Sequence, residues 1–555
     1  MSQKILVAVA WPYANGSLHL GQIAGAYLPA DIFARYQRAA GNDVLMVSGS
    51  DAHGTPVTVR AEAEGIATEE LAARYQAEFL QSWQDLGITF DLFTSTHTDN
   101  HAEVSQRLFA TLMKNGHVYE DEMPLWYCPV DKRFLPDRYV EGTCPHCGYE
   151  GARGDQCDNC GRTLNSTDLI DPKCRIDGST PEIRQSRHLF LRLSAFNKPL
   201  GEWLTSKADI LRRPVYSWSQ GIVNEGLPDR AITRDLDWGI AVPAEGYEDK
   251  RIYVWIEAVM GYLSAAIEWA RNRGEPERWR EWWQNHEARS YYFIGKDNIP
   301  FHTLIWPAIL MGAGDAYGEP SLQLPYDVPA NQYVNFKGAK ASTSRGTAPF
   351  LPAYLQRFDP DALRYYLAAT MPELQDSSFD DADLIRRNND ELVATWGNLV
   401  NRVLTFTVRN FEAVPEPGDR SEASLRLVSA GGEMLRVVGA ELGLCRFRAG
   451  LQAAMAYAGT VNQFLDETAP WKAIKDDREA AGSALWTAIQ AIGVLKTALY
   501  PFLPFSSQQL HDYLGFQGSV DDLEWSYVEV PAGQKLAAPQ PLFKKLDAAE
   551  LLAEA

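Results

Sequence analysis

The chain has 555 residues, 46% of them hydrophobic, and 72 Asp and Glu against 52 Lys and Arg give a formal net charge of −20. The length points to several domains and the apolar share is ample for large cores. The negative balance argues against non-specific nucleic-acid binding, although it leaves room for a specific RNA partner on a locally basic surface. No stretch approaches a membrane span, and the N-terminus MSQKILVAVAWPYANG reads as a buried strand and not a signal peptide. The seven cysteines fall mostly in a metal pattern, which fits a reducing, cytoplasmic setting.

In chain order, residues 4–10 (KILVAVA) are expected to form a buried strand. Turn residues Pro12, Asn15 and Gly16 follow, then a helix from Gly21 through Ile23, Tyr27, Ile32, Phe33 and Tyr36. Gly41-Asn42-Asp43 turns into a second strand at 44–48. Strand, helix, strand is a βαβ unit, which implies a parallel sheet covered by helices. A second α/β stretch is expected near 290–312, with SYYFIG as strand and HTLIWPAILMG as helix. Between the two lies an insertion of roughly a hundred residues that carries most of the cysteines. After residue 384 the pattern turns helical. Leu392, Val393, Trp396, Leu399, Val400, Val403 and Leu404 share one face, and further helices are expected at about 422–446, 447–467 and 478–500.

Within the insertion, Cys144-Pro-His-Cys147 and Cys157-Asp-Asn-Cys160 have the spacing of one tetrahedral Zn²⁺ held by four thiolates. A pair of disulfides is the alternative. Cys128-Pro-Val-Asp131 and Cys174-Arg-Ile-Asp177 form a second set. It reads either as another metal site or as a degenerate knuckle held by packing and hydrogen bonds. Cys445 reads as a core residue.

Two loops suit a nucleotide. Pro12–Gln22 joins the first strand to its helix. Its small residues admit a ligand to the backbone, and His19 and Gln22 add donors at a helix N-terminus. Gly338–Gly346 (GAKASTSRG) offers Lys340, Arg345 and three hydroxyls to a polyphosphate. Each alone is also consistent with an ordinary loop.

His19-Leu20-Gly21-Gln22 resembles the HIGH signature of class I aminoacyl-tRNA synthetases, and Lys340-Ala-Ser-Thr-Ser344 resembles their KMSKS loop. WPYANGSLHLGQ, SGSDAHGTP (48–56), YVWIEAVMGY (253–262), FIGKDNIPFHTLIWPA (293–308), DETAPW (466–471) and the four-cysteine knuckle together resemble the methionyl-tRNA synthetase family, in its order, over about residues 4–547. The resemblance implies an α/β fold. A Rossmann-type doubly wound catalytic domain (1–115 and 231–325) would carry an inserted connective domain with the zinc knuckle (116–230). A KMSKS-loop and stem-contact region (326–385) and an all-α helical-bundle anticodon-binding domain with a C-terminal tail (386–555) would follow.

It also implies a methionine–tRNA ligase. ATP and methionine would give methionyl-adenylate and pyrophosphate, and methionine would pass to the 3′-terminal adenosine of tRNA(Met), the initiator included. His19, Gln22 and Lys340 would be catalytic. His19, Gly21, Gln22, Gly295, Asp297, Lys340, Ser342 and Ser344 would bind ATP with Mg²⁺. Asp51 would pair with the ammonium of methionine, whose side chain would sit among Ala10, Trp11, Tyr13, Trp255, Ala258, Tyr262 and His302, with weak donors from Tyr13 and His302 to sulfur. Asn398, Arg402 and Trp471 would read the anticodon. Cys144, Cys147, Cys157 and Cys160 would hold one structural Zn²⁺ per chain. No DNA and no membrane would be bound. The chain ends soon after PLFKKLD (541–547), which points to a monomer.

Three positions depart from the family's pattern. Gln22 stands for the last His of HIGH, Thr343 for the second Lys of KMSKS, and Val259 where many relatives have Pro. Two other readings follow. One is a class I synthetase for another apolar amino acid, against which the WIEAVMGY segment and the modest insertion argue. The other is a catalytically weakened paralogue that binds tRNA or an adenylate without charging.

Overall fold

The computed structural model describes residues 2–553 except 155, 156, 158, 161, 163, 337, 338 and 341–348. Its centre is a five-stranded sheet in the spatial order Ala330–Asn331, Arg289–Gly295, Lys4–Val9, Asp43–Ser50, Leu92–Ser95, with every neighbouring pair parallel. The strand expected at 4–10 forms, because alternate residues serve opposite faces of the sheet. Ile5, Val7 and Val9 point into one core, Leu6 and Ala8 into another. The first core runs on without a break into the C-terminal helices. The second is shared with the helix Val254–Asn272 and the tryptophans Trp269, Trp282, Trp283 and Trp306.

The chain fills this sheet outward from Lys4–Val9 on one side, then returns to Arg289–Gly295 on the other. The order reverses between those two strands. In an open parallel sheet, the crevice beyond the strand ends at such a reversal is where ligands bind. The segments Ala10–Tyr13 and Gly295–Asp297 leave the sheet there, and Asp51 follows the adjoining strand.

The insertion is built on a long antiparallel pair, Val118–Cys128 with Glu182–Leu191, closed by a small sheet of Val140–Thr143, Ala152–Arg153 and Ile170–Cys174. Its core is slight and includes the sulfurs of Cys128, Cys144, Cys157 and Cys174.

The C-terminal helices Asn398–Phe411, Glu422–Gly443, Phe447–Thr468 and Arg478–Leu499 form a bundle near the expected bounds. The last is buried at every position from Ala481 to Leu499, the mark of a helix surrounded by others. Among the described residues, three helices contain a π-helical turn: Ile23–Tyr27, Phe301–Ile305 and Asn388–Gly397.

A buried ionic cluster joins sheet and bundle. Asp31, on the helix Leu28–Ala39, accepts from Arg35 Nε at 3.0 Å and from Arg364 Nη2 at 2.7 Å. Burial pushes the Asp31 carboxyl up, but the two guanidiniums more than offset it and hold it below its ordinary range. Arg364 also donates to the carbonyls of Phe502 (2.8 Å), Pro501 (2.9 Å) and Leu86 (3.2 Å). Arg35 reaches Asp521 at 2.8 Å and the Gly87 carbonyl at 2.7 Å. Removing the shared anion leaves the buried Arg364 without a bonded carboxylate and Arg35 with Asp521 alone. Asp31→Ala is therefore expected to cost about 3–5 kcal/mol, read as a lower midpoint in urea unfolding. A loss under about 1 kcal/mol, the range of a surface pair, would show the cluster to be dispensable.

Candidate active site

A cleft of about 1350 Å³ opens at the strand reversal. Its wall includes Ala10, Trp11, Tyr13, His19, Gly21, Gln22, Trp255, Gly295 and Asp297, nine of the expected site residues. Asp51, Ala258, Tyr262 and His302 are not on that wall. Asp51, Tyr262 and His302 are buried and Ala258 is half-buried, so the expected methionine-site residues divide into those on the wall and those off it.

His19-Leu20-Gly21-Gln22 opens a helix through a reciprocal cap. The Gln22 backbone N–H donates to His19 Nδ1 at 3.2 Å, and the Gln22 side-chain oxygen accepts the His19 N–H at 3.0 Å. Nδ1 is thus an acceptor, which places the neutral ring's proton on Nε2. A Cβ on Gly21 would lie 3.0 Å from His19 Nδ1, so glycine leaves room for the imidazole. Gln22 is no idle replacement for histidine: Gln is a standard residue at this capping position, and its amide –NH₂ remains a donor.

Opposite, Gly295 is tight against Asp297, whose Oδ1 would be 2.8 Å from an added Cβ. Both ends of the expected phosphate loop reach the cleft. Ala339–Lys340 pairs with Asn335–Phe336, and beyond the loop the Leu20 N–H donates to the Pro349 carbonyl at 2.9 Å and the Leu351 N–H to that of Leu18 at 2.8 Å. Ser342, Thr343 and Ser344 lie outside the described residues, as does the side chain of Lys340.

Trp11 lies in a slot cut by two glycines. A Cβ on Gly49 would sit 2.3 Å from its ring and one on Gly261 2.7 Å from it. Trp255 Nε1 donates to the Tyr13 hydroxyl, joining two wall aromatics. Behind them the Tyr262 O–H donates to His302 Nε2 at 2.7 Å, and His302 Nδ1 donates to the Asn298 carbonyl at 2.9 Å. Burial pushes His302 down to about 4, so the ring is neutral and both nitrogens are engaged. This corrects the expected donation from His302 to sulfur: its one N–H is spent on a carbonyl. Tyr13 keeps its hydroxyl proton.

Asp51 is 3% exposed. Its backbone is pinned to Pro12 and Ala14, and its Oδ1 accepts the His53 N–H at 3.2 Å. Burial first, and the charge of Glu257 second, push its carboxyl well above the ordinary range. A buried carboxylate with so little compensation is suited to an incoming cation.

Sequence reasoning did not single out the group beneath it. Glu257 is wholly buried and faces His53 Nδ1, with His101 Nε2 3.9 Å away. Glu257 lies inside the quoted YVWIEAVMGY segment, but nothing in that pattern separates a charged residue on a buried helix from one on a solvated face. The Trp11 slot was equally hidden, since Gly49 and Gly261 are far apart in sequence.

In the insertion, Cys144, Cys147, Cys157 and Cys160 bring four sulfurs within 4.8 Å of one another, an arrangement that could hold a metal ion. The thiols are free. The pairs Cys144–Cys160 and Cys147–Cys157 are 4.0 and 3.6 Å apart, far beyond the S–S bond length of roughly 2.05 Å, which sets aside the disulfide alternative. In the second set the ligand atoms of Cys128, Asp131, Cys174 and Asp177 also lie within 4.8 Å. There the thiols face carboxylates crosswise, Cys128 to Asp177 at 3.5 Å and Cys174 to Asp131 at 3.4 Å.

Far from the cleft, Asn398 and Arg402 stand one turn apart on one helix. The Arg402 guanidinium lies 4.6 Å over the Trp471 ring, so the three expected anticodon residues share one patch of the bundle.

Family models match nearly the whole chain: tRNA synthetases class I (M) over residues 5–404, and the anticodon binding domain of methionyl tRNA ligase over 414–553. The chain is 53% identical over 548 residues to the methionine–tRNA ligase of Dehalococcoides mccartyi, covering 99% of this chain and 98% of that protein. It is 50% identical to the methionine–tRNA ligase of Thermomicrobium roseum, over 99% of this chain and 97% of the other. Among solved structures, it resembles Mycobacterium tuberculosis methionyl-tRNA synthetase bound by methionyl-adenylate, with TM-score 0.81, 26% identity and 98% and 100% of the two chains covered.

Because the Trp11 slot has no slack, Gly261→Ala is expected to overpack it at a cost of about 1–3 kcal/mol. Urea unfolding reads this. Gly432→Ala is the control: it sits mid-helix with nothing within 4 Å of its Cβ and is expected to be neutral or stabilising.

Proposed function

Since the chain belongs to the methionine–tRNA ligases of class I, we propose that its cleft activates methionine with ATP and that its bundle selects tRNA(Met), the initiator included. It is a ligase forming aminoacyl-tRNA. The observation that carries the residue assignments is the convergence of the His19–Gln22 cap and Asp297 on one cleft, with the buried Asp51 tied through its backbone to Pro12 of that cleft's wall.

Methionine's carboxylate oxygen attacks the α-phosphorus of ATP. The bond to the β-phosphate bridging oxygen breaks and pyrophosphate leaves. The ribose hydroxyl of the tRNA's terminal adenosine then attacks the acyl carbon and AMP departs. Neither step needs a protein nucleophile, so catalysis is positioning plus stabilisation of phosphate charge. His19 Nε2–H and the Gln22 amide face the phosphates. Lys340, with Ser342 and Ser344, would close on them from the other side. Asp297, beside Gly295, accepts from the ribose hydroxyls, and Gly21 admits the adenine. Mg²⁺ enters with ATP.

Asp51 takes the ammonium. Trp11, Tyr13, Trp255 and Ala10 flank the thioether, while Ala258, Tyr262 and His302 back the pocket and fix its depth. Discrimination then rests on shape and on the Tyr13 hydroxyl. Gln22 supports a working enzyme over a weakened paralogue, since it keeps both the cap and a donor.

The four-cysteine cluster would hold Zn²⁺. Four thiolates would leave the ion no position for a substrate, so its part would be to stiffen a subdomain with a slight core. In the bundle, Trp471 would stack on an unpaired base, with Asn398 and Arg402 bonding base edges. A monomer in the cytoplasm fits this reading. No described helix is long and apolar enough to cross a membrane.

Methionine-dependent ATP–pyrophosphate exchange, with leucine and cysteine in parallel, tests the first step. Exchange with methionine alone is expected, and none with any amino acid would overturn the reading. Asp51→Asn should lower kcat/KM for methionine roughly a hundredfold, the scale of a buried charge left unpaired. Trp471→Ala should raise the KM for tRNA about tenfold or more, the loss of one stacked base. Cys147→Ser should lower bound zinc from about one per chain, the stoichiometry of one four-thiolate site, to none by elemental analysis.

A further inference from the structure

Glu257 lies on the helix Val254–Asn272, fully buried, with Oε2 lacking any hydrogen-bond partner among the described residues. Its described ion-pair partners are His53 and His101. Burial pushes His101 down to about 3, and its Nδ1 is engaged with Ser264 Oγ at 2.8 Å, so His101 brings no charge. His53 remains. Its Nδ1 meets Glu257 Oε1, and its Nε2 lies 3.3 Å from Nδ1 of His97. His97 stacks on Trp238 at the protein's edge, with Glu69 at 3.9 Å and Asp99 acting on it, while burial pushes it below its ordinary range. Tyr13 pairs through its backbone with Asp51 on the opposite side. A buried carboxylate oxygen with no hydrogen-bond partner among the described residues calls for a reason beyond stability.

Resting on the assignment of the amino acid's ammonium to Asp51, we propose that Glu257 and His53 form a neutralising pair that leaves Asp51 the one uncompensated anion of the amino-acid site. The imidazole of His53 meets Glu257 Oε1 and so offsets the Glu257 charge that otherwise acts on Asp51. Asp51 alone then draws the ammonium. Glu257 and His53 touch no substrate: they are positioning residues, acting through the charge of Asp51.

The two halves of the pair act on Asp51 with opposite signs. Protonating Asp51 removes the ammonium's partner, so kcat/KM for methionine falls on the acid side. Glu257→Gln removes the charge that pushes the Asp51 carboxyl up, which favours the Asp51 anion and moves the acid limb to lower pH. His53→Gln leaves the Glu257 anion unbalanced and moves the limb to higher pH. Each shift is expected at about one unit, the scale of one neighbouring charge, or roughly a tenfold difference between variant and parent at a pH on the limb.

The measurement is methionine-dependent ATP–pyrophosphate exchange of the full chain across pH, for the parent and both variants. Limbs displaced in opposite directions are the expected result. Damage to packing alone would raise KM at every pH and leave both limbs in place, and limbs that coincide with the parent's or move together overturn the proposal. Should one variant fail to fold, the sign of the other decides. A parent that exchanges with no amino acid overturns the functional reading itself, which separates that failure from this one.

Discussion

The architecture depends on one buried carboxylate, Asp31, shared by two guanidiniums. Asp31 and Arg35 belong to the first helix over the catalytic sheet. Arg364 belongs to the helix Pro360–Ala369, which links sheet to bundle. Their other donors reach carbonyls at Pro501 and Phe502, at the start of the last bundle segment, and at Leu86 and Gly87, together with the Asp521 carboxylate and the Tyr500 hydroxyl. Such a cluster adds little net stability over an apolar replacement. It joins the helix Leu28–Ala39 to Pro501 and Phe502 through directional bonds, however, and thereby holds the bundle against the central sheet. A second guanidinium does the same on another side: Arg212, from the insertion, donates to the carbonyls of Ala330, Glu373 and Cys445. Three parts of the chain thus meet on rigid polar contacts as well as on a continuous apolar core.

Charge is distributed against the grain of the whole. The chain carries −20, yet the cleft wall includes Arg60, Arg138, Arg153, Arg175, Arg230 and Arg234 against Asp229 and Asp297. A polyanion is therefore attracted at one place and repelled elsewhere, so the acidic composition and an RNA partner are compatible.

Much of this was readable from sequence because it is local. The strand at Lys4–Val9, the helix after it, and the bundle helices follow from periodicity that their neighbours did not override. The His19–Gln22 cap is four consecutive residues, and the cysteine pairs carry their spacing with them. What escaped was non-local. Asp31 and Arg364 are separated by 333 positions. The slot for Trp11 needs two glycines from different elements. Glu257 sits in an apolar helix where only the folded surroundings show that its charge is buried. The hydrogen bond from Trp255 to the Tyr13 hydroxyl joins two distant segments on the cleft wall, which no one-dimensional pattern encodes. His302 was expected to donate to sulfur, but its one N–H goes to the Asn298 carbonyl and its other nitrogen accepts from Tyr262, and such commitments appear only in three dimensions.

The three π-helical turns adjoin the three regions assigned to recognition. Ile23–Tyr27 follows the His19–Gln22 cap, Phe301–Ile305 carries His302, and Asn388–Gly397 leads directly into Asn398. A π turn accommodates one residue more than the α-helix it interrupts. Each α-helical residue advances the azimuth by about 100°, so the surplus residue acts as a fixed angular offset between the two halves of its helix. The chain therefore aims its functional side chains by residue count as much as by residue type. A substitution in one of these turns can be absorbed. Forcing ideal α geometry without losing a residue would swing everything downstream on that helix by about 100°, more than a quarter of a circle. Deleting the surplus residue instead turns the π turn into an α turn and leaves the downstream half in place, so tolerance to a one-residue deletion should be highest where the helices look least regular.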